Sequence, residues 1–154
     1  MTAVIALDGV LRSESKFPIP EGLKLFRTLM SEYRTVISSD GPLNEAEHWL
    51  RSNMVFGYAQ LLGDETSFVG KSLREYHLET VQSGGRVELL IDDSSDNAHM
   101  ALKHNVPCLL FGTPKFVNVR RESRTSWSDI EDEVRRQKEI RADALLKTLG
   151  SRWE

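Results

Sequence analysis

Two hydrophobic periods alternate along the chain. Continuous apolar runs occupy residues 4–7 and 108–111, with 87–91 broken only by Glu88, and Thr35-Val36-Ile37 makes a further short β-rich run. Runs this short, bounded by Gly, Pro, Ser and Asp, are the pattern of buried strands. Between them apolar residues return every three or four positions, as on a helix with one covered face. Leu23, Phe26, Leu29 and Met30 follow that spacing once Pro18 and Pro20 have broken the chain. Asn44 with Glu47 three residues later has the form of a capping box, and the helix it opens carries Trp49 and Leu50 on its apolar side. Residues 55–62 contain a third strand, and residues 73–81 a helix ended by Ser83-Gly84-Gly85. A short helix at 96–104 precedes Pro107 and the last strand, which Gly112-Thr113-Pro114 closes. Ser128 with Glu131 repeats the capping-box form and opens a long charged helix to Leu149. Its narrow apolar stripe is Ile130, Val134, Ile140, Ala144, Leu145 and Leu149.

Strands alternating with helices imply right-handed βαβ units and a parallel sheet covered on both faces. The expectation is an α/β, three-layer, Rossmann-like fold with a five-stranded parallel sheet. Residues 1–114 form its core, and residues 115–154 add a basic connector and the C-terminal helix within the same domain. In such sheets ligands bind beyond the carboxyl ends of the strands. Those ends hold Asp8 after the first strand, Ser38 and Ser39 after the second, and Asp92 and Asp93 after the fourth. The rule gathers them into one site.

Composition narrows the classes without naming one. A chain of 154 residues, 40% hydrophobic and 28% charged, is the size of one ordinary domain with a substantial core. No apolar stretch approaches the ~18 residues of a membrane span, so no membrane partner is expected. The single cysteine, Cys108, sits in an apolar strand and is read as core; nothing points to an oxidising compartment, and a cytoplasmic location follows. A net charge of −3 argues against tight non-specific nucleic-acid binding. Residues 115–124, KFVNVRRESR, are a local basic exception, read as a solvated segment. His48, His77, His99 and His104 show no metal-ligand spacing and are read as surface or helix-packing residues. The terminal helix is expected to pack on its own domain, with a protein partner or a homodimer as the alternative.

Carboxylates and a lysine around strand ends suit phosphate chemistry with Mg²⁺, a hard cation that prefers oxygen ligands. In this order the motifs resemble those of the haloacid dehalogenase-like (HAD) phosphohydrolases. The first is Ala6-Leu7-Asp8-Gly9-Val10-Leu11, against a family pattern of D-x-D-G-[TV]-[LV]. Ser38 and Ser39 follow the next strand, Lys71 stands 21 residues before Asp92, and Asp92-Asp93 ends the fourth strand. A looser likeness to the deoxyribonucleotidase branch lies in the stretch LLFGTPKFVNVRRESRTSWSDIEDEV.

The resemblance implies roles residue by residue. Asp8 takes the acid/base position, and Asp93, Asp92 and Asp8 the Mg²⁺ ligand positions. Ser38, Ser39, Lys71 and Gly9 take the phosphate-binding ones. The nucleophile position, however, holds Ala6, which can neither attack phosphorus nor ligate metal. Only 29 residues separate Asp8 from Ser38 and 32 separate Ser38 from Lys71, so no cap domain fits. What the resemblance implies is a HAD-like pseudoenzyme, lacking the standard phosphatase step and binding Mg²⁺ weakly or not at all. Its ligand would be a phosphorylated small molecule, a nucleotide or a protein partner. The alternative is a Mg²⁺-dependent phosphohydrolase, a nucleotidase or nucleic-acid-end phosphatase, in which Asp8 activates water.

Overall fold

The computed structural model describes residues 1–65, 70–112 and 127–150, with side chains of the last segment from residue 131 onward. In chain order the elements are β1 (Thr2–Ala6), α1 (Pro20–Glu32), β2 (Arg34–Ser38), α2 (Leu43–Ser52) and β3 (Gln60–Leu62). Then come α3 (Leu73–Ser83), β4 (Val87–Asp92), α4 (Ser95–Lys103), β5 (Cys108–Leu110) and α5 (Trp127–Gly150). The five strands are all parallel, in the order β3-β2-β1-β4-β5.

Period-two alternation divides the core between the two faces of the sheet. Val4, Val36 and Leu90 pair across neighbouring strands and pack with Leu78 and Val81 of α3 and Ala101 of α4. Ile5, Ile37 and Ile91 are each one residue further along. They pack with Phe26 and Leu29 of α1 and with Trp49 and Leu50 of α2. Two helices therefore cover each face, and the three-layer Rossmann-like architecture follows. The chain reverses direction across the sheet between β1 and β4, which leaves a crevice at their carboxyl ends.

Local signals set most boundaries. Pro20 opens α1, where a missing N–H costs nothing. Ser72 caps α3 by accepting from Glu75 N, and Gly84 ends it. Ser94 caps α4 through Asn97 N, so that helix begins at Ser95, one residue earlier than the pattern suggests. The expected capping box at Asn44 does not form. Pro42 occupies the cap position of α2 with no side-chain hydrogen bond, and Leu43 N is taken instead by Glu65 Oε1. Cys108 is half-buried, because β5 is an edge strand with one neighbour and Leu109 and Leu110 stand largely exposed.

The chain divides into two compact units, Met1–Thr113 and Pro114–Glu154. In the second unit α5 carries Val134, Ile140, Leu145, Leu146 and Leu149 at exposed positions. The turn at Thr113-Pro114, the basic stretch 115–124 and the side chains of Ser128 and Ile130 lie outside the described residues. No helix among the described residues is long and apolar enough to cross a membrane.

Candidate functional site at the strand ends

Pairing continues past the formal strands. Leu7 N donates to Ser38 O, Ser39 N to Leu62 O, and Phe111 N to Asp92 O. This lines up the carboxyl ends of all five strands. Asp8, Ser38, Ser39, Asp92 and Asp93 therefore gather at one edge, as the topological rule requires. Ala6 lies opposite Ser38 in the β1–β2 register and is fully buried.

After β1 the chain makes one tight turn, with Leu11 N and Arg12 N both donating to Leu7 O. Gly9 sits in this turn at φ 88°, a backbone region that favours glycine, and its open side lies against the Asp93 carboxyl group. A Cβ there would overlap that carboxylate. The turn throws Arg12 inward, only 3% exposed. Its Nε donates to Asp8 Oδ1 at 2.6 Å, while Nη1 and Nη2 grip Glu45 at 2.7 and 3.0 Å in bidentate fashion. The guanidinium also lies 5.7 Å from the Trp49 ring centroid. Pairing with Arg12 pulls the Glu45 carboxyl below its usual range. The second oxygen of Asp8, Oδ2, accepts from Asp40 N at 3.1 Å. Both oxygens of Asp8 are thus held by the protein.

Across the crevice, the buried face of α3 runs Arg74, His77, Leu78, Val81. Its first two positions are polar, and they supply the centre of the site. Arg74 Nε donates to Asp92 Oδ2 at 2.7 Å, Nη1 donates to Ser38 O at 2.9 Å and to Ser38 Oγ, and Nη2 donates to Asp40 Oδ1 at 2.8 Å. Asp92 is satisfied further by Ser94 N and by Asn97 Nδ2. Ser38 Oγ meets His77 Nδ1 at 2.6 Å, and His77 Nε2 meets Gly63 O at 2.8 Å. A carbonyl only accepts, so Nε2 carries the ring proton. Burial pushes the His77 pKa down, so the ring is neutral and Nδ1 accepts the hydroxyl proton of Ser38. Ser39 turns locally instead, accepting from Gly41 N.

Asp40 is the outermost member of the group. Its side chain is 55% exposed and pairs with the buried Arg74. Burial raises its pKa most; the Arg74 charge opposes that, and the negative charges of Asp8 and Asp92 add to it. Lys71 takes no part in this network. Its Nζ lies on Glu79 at 2.6 and 2.8 Å, and that pairing raises its pKa. The cation touching Ser38 and Asp92 is Arg74, three residues further on.

Sequence reasoning missed Arg74, His77, Asp40, Arg12 and Glu45. For the α3 pair a signal existed: the apolar stripe of Leu78 and Val81 extends backwards onto an arginine and a histidine. His104 packs α4 onto α3, as its reading as a surface or helix-packing residue has it. It meets Glu75 and Glu79 of α3, and one ligand atom from each of the three lies within 4.8 Å of the others, a group that could hold a metal ion.

Fold and site together define a doubly wound α/β protein with a polar cluster at its switch point. No protein-family model matches the chain, and no curated protein matches it. Among solved structures it is similar to a chain in the structure of the Pnkp1/Rnl/Hen1 RNA repair complex. The TM-score is 0.55 and the identity 22%, and the match covers 71% of this chain and 42% of that one. The likeness is one of fold.

Proposed function

We propose that this chain is a HAD-like, phosphatase-derived binding protein that recognises a terminal phosphate without transferring it. The observation that carries the reading is the pairing of the site's acids with arginines. Asp8 has both oxygens occupied, by Arg12 and by Asp40 N. Asp92 has both occupied, by Arg74, Asn97 and Ser94 N. The oxygen donors of Asp8, Asp92 and Asp93 are of the kind Mg²⁺ takes, but in Asp8 and Asp92 the ion would compete with Arg12 and Arg74 for the same carboxylates. No step through the ion is derived. Ala6, apolar and buried, supplies no nucleophile.

Phosphate recognition rests on Arg74. Its inner arms are fixed by Asp92 and Ser38, which sets the guanidinium plane, while its outer arm meets only the half-exposed Asp40. A single carboxylate at an exposed edge is held weakly, and the negative charges of Asp8 and Asp92 nearby work against its ionised form. A phosphate dianion, with more oxygens and more charge, takes that arm in its place. The expected ligand is a phosphorylated nucleic-acid end. The structural neighbour belongs to an RNA repair complex, and the basic stretch 115–124 offers sequence-level attraction for a phosphate backbone. We place residues 1–114 and 115–154 in one functional unit on this ground.

Two measurements on the full chain test the proposal. Fluorescence anisotropy should show an end-phosphorylated RNA oligonucleotide binding about tenfold or more tightly than its hydroxyl-ended twin, a difference of ~1.4 kcal/mol. Phosphate release from the same oligonucleotide with Mg²⁺ should stay at background. Equal affinity for the two ends would remove the binding role. Turnover abolished by Asp8→Asn would establish the hydrolase alternative, with Asp8 activating water.

A further inference from the structure

Away from the strand ends, α3 and α4 present a second polar group on the opposite side of Arg74's helix. Glu75 and Glu79 stand one turn apart on α3, and His104 caps the end of α4. Asn105 follows in the left-handed region at φ 59°, and Val106 N closes the turn onto Ala101 O. His104 Nε2 lies 2.9 Å from Glu75 Oε1 and 3.9 Å from Glu79 Oε1. All three side chains are about one-quarter to one-third exposed, sheltered yet open to solvent.

We propose that Glu75, Glu79 and His104 form a site for a divalent ion of the zinc class that pins α3 to α4, with water completing the coordination. The donor chemistry selects the ion. An imidazole with two carboxylates suits a borderline cation, whereas Mg²⁺ favours oxygen ligands alone. The geometry agrees. Four tetrahedral ligands at bond lengths of about 2.0–2.1 Å stand roughly 3.3 Å apart, and the two His–Glu separations fall on either side of that value. Small rotations of the glutamate side chains bring both to it. A cation already stands in the place: the Lys71 ammonium sits on Glu79, drawn by the negative pair. That contact is an exposed ion pair of the weak kind, with the lysine side chain 44% exposed, so a metal ion can displace it. The clamp would act on two helices that meet at the strand-end site. α3 supplies Arg74, and α4 begins beside the Asp92 that Arg74 holds. The inference is independent of the phosphate reading, since its ligands include no strand-end residue.

Isothermal titration of the full chain with Zn²⁺ tests it. One ion per chain should bind with a dissociation constant in the micromolar range or below. Zn²⁺ should raise the melting temperature where equal Mg²⁺ does not. His104→Ala should weaken binding at least tenfold, and Glu79→Gln should weaken it as well, a second arm in case the histidine variant folds poorly. Lys71→Ala should tighten binding several-fold, because the competing ammonium is gone. His48→Ala, outside the group, should change nothing. Absence of saturable binding to the wild type, or unchanged binding in both His104→Ala and Glu79→Gln, overturns the site.

Discussion

Ser38 donates its hydroxyl proton to a neutral His77 in the interior of the site, and a neutral buried histidine ties stability to pH. Burial lowers the His77 pKa in the folded chain from the ordinary 6.5. Between the two pKa values the unfolded chain binds the extra proton, so stability rises with pH there. The contribution is fully present above about pH 6.5 and is lost as pH falls through the lowered folded value. Urea unfolding at several pH values should show the wild type losing stability below pH 6.5. From this group alone the slope is at most ~1.4 kcal/mol per pH unit. His77→Gln should lower stability at pH 7.5, because it breaks the Ser38–His77–Gly63 chain, and should flatten the acid-side slope. An unchanged slope would mean that the folded and unfolded chains protonate His77 alike. The same scale explains why Arg74 rather than Lys71 lies at the centre. Four acceptor atoms on three residues, set at different angles, suit a planar fork of donors better than a point charge.

At the scale of elements, α1 is placed by a single small residue. Gly22 lies in its first turn, and a Cβ there would collide with the backbone carbonyl of Val10. In an unconstrained helix, replacing glycine by alanine stabilises by about 1 kcal/mol. Here the sign reverses, because the obstacle is backbone of the turn that carries Asp8 and Arg12. Gly22→Ala should destabilise by roughly 1–3 kcal/mol, as overpacking does, measured by chemical denaturation. A gain in stability would show that α1 can move off that turn freely. The helices differ in what they bring to the crevice. α1 and α2 wedge the β1 turn, with Glu45 of α2 gripping Arg12, whereas α3 and the start of α4 supply Arg74 and the groups around Asp92.

For the whole molecule, among the described residues both apolar clusters draw on side chains up to Phe111. The unit Met1–Thr113 therefore contains its own core, with a helix pair on each face of the sheet. A chain ending at residue 113 should unfold in one cooperative transition, with a melting temperature within about 5 °C of the full protein, a shift of ~1 kcal/mol or less. Scanning calorimetry decides it. Loss of cooperative unfolding on truncation would show that the tail belongs to the core.

Much of the architecture is legible in the chain itself. Continuous apolar runs such as 4–7 and 87–91 are buried on both faces only in a parallel sheet, and helices must then cover both faces. Turn residues fall at the strand ends, so Asp8, Ser38 and Asp92 had to share an edge. Those conclusions rest on local periodicity and topology, which the sequence carries directly. The partners did not follow from it. Arg12 reaches Glu45 across 33 positions and Arg74 reaches Ser38 across 36, and nothing in their local sequence marks the meeting. Lys71 and Arg74 are three residues apart on either side of the Ser72 cap, and only the placement of α3 against the sheet turned Arg74 inward while Lys71, just ahead of the helix, lies on Glu79. The sequence by itself determined the layers and the edge where chemistry gathers. Tertiary packing decided which charges face each other there, because pairing between distant segments depends on helix rotation and turn geometry that no local pattern encodes.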